Sequence, residues 1–144
     1  MRNLIYSILR TQLAYRQAFQ QKMKERKIPL SFEMLQIMSF LFVSDAVNQK
    51  DITEKSFKEK SAVSHMLKKL EKKELIRREE DQKDKRNKII HLSEKGISLR
   101  AEMLSMIDEV YNTASKNIDS RKIASCMEYL YEIENAFKQI LNEK

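Results

Sequence analysis

The chain has almost none of the residues that make tight turns. Gly96 and Pro29 are its only glycine and its only proline in 144 residues. Sheet-rich folds need many turns, and turns are where glycine and proline concentrate. The sequence therefore predicts a mainly helical chain of about one domain's length, large enough to bury a core without disulfides.

Apolar residues recur at three- and four-residue spacing over most of the chain, which predicts amphipathic helices. Pro29 ends the first helix, and Ser31 is a candidate N-cap for the second, which is apolar on nearly all sides and should be the most buried. The third is short, with Ile52 and Phe57 as its apolar residues, and Ser61 or a neighbour caps the fourth. The predicted helices cover residues 4–26, 32–44, 48–58, 61–73, 97 to an interruption at 117–120, and 121–141.

The pattern changes after Glu74. Two short strand-like runs, 75–78 and 88–92, flank the charged segment EEDQKDKRN at 79–87, which contains no hydrophobic residue. This predicts a two-stranded hairpin with a long polar tip. Two short helices followed by a charged hairpin are typical of a winged helix-turn-helix, whose second helix enters the major groove of DNA.

Positive charge is concentrated in this middle third. The formal net charge is +7, and residues 48–96 contain 15 basic and 10 acidic side chains against 13 and 11 elsewhere. On the fourth helix an apolar stripe is opposed by a polar face whose short side chains suit base readout and whose lysines suit phosphates. The alternative is an ordinary solvated lysine face. The candidate contacts on that face are Ser61, Ser64, His65, Lys68, Lys69 and Lys72.

The hairpin tip carries a second basic cluster: Lys83, Lys85, Arg86 and Lys88. A wing of this kind reaches into the minor groove beside the recognition helix, where negative potential attracts Arg and Lys. The alternative is a solvated turn without a partner. Because the hairpin directly follows two short helices, we favour the wing.

These segments resemble the MarR family of regulators, over nearly the whole chain and most clearly over 51–96. The matching fragments are LEKKELIRR (70–78), Asp84-Lys85-Arg86, and HLSEKG (91–96), which is similar to the family's Leu-Thr-x-x-Gly. Each fragment alone is moderately specific for this family. The occurrence of all three in order is a strong sign of the resemblance. The sequence departs from the family at Glu74, where the family usually has a glycine at the helix end. A glutamate there must either adopt a strained left-handed backbone or end the helix differently.

The resemblance implies a homodimer that binds double-stranded DNA at a pseudo-palindromic operator, commonly as a repressor released by a small ligand. By position it implies that Asp84 helps to hold the wing while Arg86 enters the minor groove. Tyr15, Phe19, Phe42 and Met103 are candidate linings of an effector pocket, although such residues are more often core. By position, the implied recognition-helix contacts are Ser61, Ala62, Ser64, His65, Lys68 and Lys69.

The helices at both chain ends give an independent reason for dimerisation. Their apolar faces exceed what a small winged domain covers, and a large exposed apolar patch is unfavourable. Pairing with a second copy buries them; the alternative is that they pack on their own winged domain. The predicted organisation is an N-terminal dimerisation helix at 1–30, a winged helix-turn-helix at 31–96 and C-terminal dimerisation helices at 97–144, within one compact domain.

Other classes of protein are disfavoured. His65, His91 and Cys126 are dispersed, and no catalytic or metal-binding motif occurs, so we expect neither an enzyme nor a bound metal or cofactor. Cys126 is expected to be a buried packing residue. The sequence has no signal peptide and no membrane span, which predicts a cytoplasmic protein. The remaining alternative is a winged-helix module that binds proteins and not DNA.

Overall fold

The computed structural model describes residues 1–44 and 46–142. Asp45, in the predicted segment 31–96, and residues 143–144, in the predicted segment 97–144, lie outside the described residues. Over the described residues the chain is mainly helical with a small antiparallel sheet, as predicted. The elements are α1 (Arg2–Glu25), α2 (Phe32–Phe42), β1 (Val47–Asn48), α3 (Gln49–Ser56), α4 (Lys60–Lys72), β2 (Ile76–Glu80), β3 (Lys88–Leu92), α5 (Glu94–Ser115) and α6 (Ser120–Asn142).

Side-chain caps define where α2 and α3 begin. The Ser31 hydroxyl accepts a hydrogen bond from the backbone N–H of Met34 at 3.2 Å, which confirms the predicted cap. Asn48 caps α3 by accepting from the N–H of Lys50 at 2.8 Å. At α4 the prediction was wrong: Glu59 occupies the cap position without a side-chain bond, and Ser61 lies inside the helix.

The end of α3 also differs from the prediction. The helix stops at Ser56, and Phe57 adopts a left-handed conformation with φ of 53°. This turn directs Phe57 away from the core, and the residue is 92% exposed. Ile52, the other apolar residue of α3, is fully buried.

The sheet has one more strand than the sequence predicted. Among the described residues, the strand order is β1-β3-β2, so the hairpin is extended by Val47 and Asn48, which pair with Ile90 and Ile89. The hairpin register pairs Ile76 with Leu92 and Glu80 with Lys88. Two residues are too few to produce an alternating pattern, which is why β1 escaped detection.

The core forms around α2, as predicted. Seven of its eleven residues are buried. The aromatic rings of Phe19 and Phe32 meet with centroids 5.9 Å apart, and Tyr15 packs edge-on against both. From the other elements Ile52, Leu67, Ile90 and Met103 are completely buried. Burying such side chains supplies most of the free energy that stabilises the fold.

The chain divides into two compact units, residues 1–107 and 108–144, with the division inside α5. None of the α6 side chains is buried within the chain. The expectation that Cys126 is a buried packing residue was therefore wrong, because the α6 stripe on which it lies is exposed. In the described part of the chain, no helix is both long and apolar enough to cross a membrane.

Candidate nucleic-acid interface

Helix α4 has one buried and one outward face. Val63, Leu67 and Leu70 recur at helical spacing and are completely buried. This anchoring turns the opposite side of the helix to solvent. Of the predicted contact residues, Ser61, His65, Lys68 and Lys69 are exposed, while Ala62 and Ser64 are half-buried. Within residues 1–44 and 46–142, neither Lys68 nor Lys69 has a carboxylate partner.

The end of α4 is set by Glu74. The N–H of Glu74 donates to the carbonyl of Glu71 at 2.8 Å, and the N–H of Leu75 donates to the carbonyl of Leu70 at 3.1 Å. This pair of bonds is the Schellman arrangement, whose left-handed residue is usually glycine. Glu74 adopts that conformation with φ of 61°, so the helix ends in the usual way and the glutamate is strained.

The start of α5 locks onto the same turn. The hydroxyl of Ser93 caps α5 by accepting from the N–H of Gly96 at 3.0 Å, and it also donates to the carbonyl of Glu74. A Cβ atom on Gly96 would lie 2.1 Å from the carbonyl oxygen of Leu75. The glycine therefore allows two backbones to approach each other closely. This contact fixes the root of the wing against the end of α4.

An ion pair ties the wing to α4. The Nε of Arg78 on β2 donates to the carboxylate of Glu71 on α4 at 3.0 Å, and a second guanidinium nitrogen contacts the same oxygen. The Arg78 side chain is 23% exposed, so water screens this pair less than it screens a surface pair. Sequence reasoning missed this role, because residues seven apart on different elements show no local pattern.

Asp84 organises the tip of the wing. One of its carboxylate oxygens accepts from the backbone N–H of Arg86 at 3.1 Å and from the Arg86 Nε at 3.3 Å. Its other oxygen accepts from Asn87 Nδ2 at 3.4 Å. The Arg86 side chain remains 93% exposed. Asp84 thus makes the contacts expected of a residue that holds the wing.

The predicted wing cations differ in their surroundings. Lys83 and Lys85 are exposed at the tip. Lys88 lies at the base, where its ammonium donates to Glu80 at 2.8 Å across the hairpin. This hydrogen bond, with the charge of Lys88, lowers the pKa of Glu80. Lys88 is therefore partly neutralised in the folded chain, which weakens its case as a free cation.

A groove of about 380 Å³ lies between α3, the start of α4 and the base of the wing. Lys50, Lys60, Arg86 and Lys88 line it together with Glu54. Lys60 was not among the predicted contacts, because the sequence placed the N-cap of α4 at Ser61, two residues after the observed N-cap Glu59. Four basic side chains and one acid therefore face this groove, to which α4 contributes Lys60 at its start.

The candidate linings of an effector pocket lie in or beside the hydrophobic core. Phe19, Phe42 and Met103 are buried core residues, and Tyr15 packs at the edge of the same core. Over the described residues, no group of three or more His, Cys, Asp or Glu side chains is arranged to hold a metal ion.

Comparisons with known proteins place this chain beside transcription regulators of similar sequence. Residues 31–88 match the model of the MarR family. The HTH-type transcriptional regulator MgrA of Staphylococcus aureus is 29% identical over 97 residues, which cover 67% of this chain and 66% of MgrA. The match thus spans slightly less than two thirds of that relative's length.

Solved structures agree over more of the chain. The Staphylococcus aureus MepR–DNA complex aligns with a TM-score of 0.80 and 25% identity, covering 91% of this chain and 96% of MepR. A MarR transcriptional regulator from Methanosarcina mazei Go1 aligns with a TM-score of 0.79 and 20% identity, covering 96% of this chain and 99% of the other. The similarity extends well beyond the segment matched by the family model.

Proposed function

We propose that this chain is a MarR-family transcription regulator that binds double-stranded DNA through α4 and the wing. The observation that carries the proposal is the outward surface just described. Helix α4 exposes Ser61, His65, Lys68 and Lys69, while Arg86 extends from the wing tip. Short polar groups beside cations combine base readout with phosphate contact.

In the proposed complex, α4 enters the major groove and the wing reaches the adjacent minor groove. Asp84 orients Arg86, and the narrow minor groove attracts its guanidinium. The Arg78–Glu71 pair holds the wing at a fixed angle to α4, so that both elements meet the same duplex. A cytoplasmic location follows from a chromosomal target.

We propose that the regulator acts as a homodimer. The first half of α1 and the whole of α6 expose large apolar side chains, which a second copy would cover. Two copies related by a two-fold axis present their recognition helices about 34 Å apart, which selects a pseudo-palindromic operator. The exposed side chains include Leu4, Tyr6, Leu9, Leu13, Met127, Tyr129, Tyr131, Phe137, Ile140 and Leu141.

Repression and release by a small ligand complete the proposal. Both rest on the family alone. A dimer bound over an operator blocks access to the DNA, which favours repression. A ligand releases the operator if it binds the free form more tightly than the bound form.

Selection from a pool of random duplexes tests this function. The purified protein is expected to enrich a single sequence with two inverted half-sites about one DNA turn apart. Enrichment without symmetry would contradict the dimer. No retention of duplex DNA at low salt would contradict DNA binding and favour the protein-binding alternative.

A further inference from the structure

Phe57 combines two features that are unfavourable in an isolated chain. Its backbone is left-handed, with φ of 53°, a conformation that bulky side chains rarely adopt. Its ring is 92% exposed, so packing within the described chain does not compensate for that backbone. Strained residues of this kind concentrate at functional sites. The proposed contacts of α4 and the wing do not use Phe57.

The position of Phe57 brings it close to the proposed duplex. Phe57 lies three residues before Lys60, where α4 begins. Three residues span at most about 10 Å, and the major groove is about 12 Å wide. The N-terminal end of a recognition helix faces the base edges. The ring is therefore within reach of the sugar–phosphate strand that borders the groove.

The charge around Phe57 identifies the partner. The segment 55–60 contains Lys55, Lys58 and Lys60 against the single acid Glu59. Lys60 also lines the cationic groove between α3, α4 and the wing. An apolar protein surface alone would leave these lysines without counter-charges. A polyanion satisfies them, and its deoxyribose rings offer an apolar surface to the aromatic ring.

We propose that the turn 57–59 and the first residue of α4 form a further DNA contact, in which the Phe57 ring packs on deoxyribose while Lys58 and Lys60 neutralise flanking phosphates. This inference rests on the function proposed above and adds a residue to it. The contact positions the recognition helix on the duplex and carries no base specificity, because sugars and phosphates are the same at every base pair.

The test is Phe57→Gly, measured by fluorescence anisotropy with a labelled random duplex over a range of salt concentrations. Glycine adopts the left-handed turn without strain, so the melting temperature should not fall. The affinity should fall about fivefold to tenfold from the lost apolar contact. The dependence on salt should stay unchanged, because no charge is removed. In Lys58→Ala, by contrast, the salt slope should fall by about one.

Two controls separate the ring from general surface effects. Phe57→Tyr keeps the ring and should bind as the wild type does. Val43→Ser removes another apolar side chain, 86% exposed, and should also bind normally. Equal affinity of wild type and Phe57→Gly, or equal losses in Phe57→Gly and Val43→Ser, would overturn the Phe57 contact and leave the proposed function standing. Failure of the wild type itself to bind duplex would overturn both.

Discussion

Among the described residues, three with positive φ end the helices α1, α3 and α4, and one glycine lets α5 approach the carbonyl of Leu75. Lys27, Phe57 and Glu74 take left-handed conformations at helix ends, where a glycine would be less strained. Gly96, in contrast, does not have a positive φ. Its missing side chain allows α5 to lie close to the carbonyl of Leu75. The single glycine therefore meets a packing requirement, and the turns are made at some cost by other residues.

Gly96→Ala should destabilise the fold. The new methyl group would meet the backbone oxygen of Leu75, and backbone cannot move aside as a flexible side chain can. We expect a loss of about 1–3 kcal/mol in the free energy of unfolding, measured by urea denaturation. Ser98→Ala, at an exposed position of the same helix, is the matched control and should change little. An unchanged midpoint for Gly96→Ala would show that the close approach is absent.

Glu74→Gly should stabilise the fold. Relief of the left-handed strain is worth about 1–2 kcal/mol, offset in part by the greater freedom of glycine in the unfolded chain. We expect a net gain of about 0.5–1 kcal/mol in the same urea experiment. Lys73→Gly, one residue earlier with φ of −80°, should lose stability. A loss in both variants would refute the account of this helix end.

Helix α1 and the winged region are joined at the start of α2. Arg16 contacts the carboxylate of Glu33 at 2.6 Å, and its guanidinium lies 5.7 Å from the centroid of the Phe32 ring. Burial raises the pKa of Glu33, but its backbone hydrogen bond and the charge of Arg16 outweigh burial and lower it. The contact is therefore strongest while Glu33 is ionised.

Acid should weaken this junction. Because the pKa of Glu33 is lowered on folding, its stabilisation is complete above the ordinary value of 4.5 and is lost as the pH falls through the folded value. The stability advantage of wild type over Glu33→Gln, below about 1 kcal/mol for a partly exposed pair, should shrink between about pH 6 and about pH 3. Thermal melts at both pH values measure it, with Glu102→Gln as the control. A constant difference would exclude the ion pair as its cause.

The elements of the proposed interface should contribute separately to DNA binding. Arg86→Ala removes the exposed cation of the wing, and Lys68→Ala removes one from α4. Each substitution should weaken duplex binding by about 1–3 kcal/mol and should leave the chain folded. Anisotropy titrations, with circular dichroism as the check on folding, measure both. Unchanged affinity in the two variants would contradict the assignment of α4 and the wing.

Most elements could be predicted from the sequence because each has its own periodicity. The α2 core, the hairpin and the interruption before Ser120 all follow from apolar spacing and local capping residues. The features that were missed depend on other parts of the chain: β1 pairs with β3, and Arg78 pairs with Glu71. The outward turn of Phe57 depends on a backbone conformation that a phenylalanine does not signal.

At the scale of the whole molecule, the apolar surface that remains exposed is the strongest reason to expect a second copy. It occurs on α1 and on α6, where Met127, Phe137 and Leu141 are among the exposed residues. Apolar surface exposed on each of these two helices favours association. The exposure of Cys126 on the same helix is consistent with this explanation.

Removal of residues 121–144 should abolish the dimer, because it deletes nearly all of the exposed apolar face of α6. The full chain should have twice its chain mass of 17.2 kDa by light scattering, and the truncated chain should be a monomer. A truncated protein that still has dimer mass would place the interface elsewhere. Circular dichroism checks that the remaining helices are folded.

We expect a pair of chains to bind duplex DNA through the basic residues of α4 and the wing. The most direct test is the affinity of the purified protein for duplex DNA at two salt concentrations, with the mass of the complex measured by light scattering. Two chains should bind one duplex, with an affinity that falls steeply as salt rises, because phosphate neutralisation releases counterions. Binding that is absent at low salt, or insensitive to salt, would contradict this expectation.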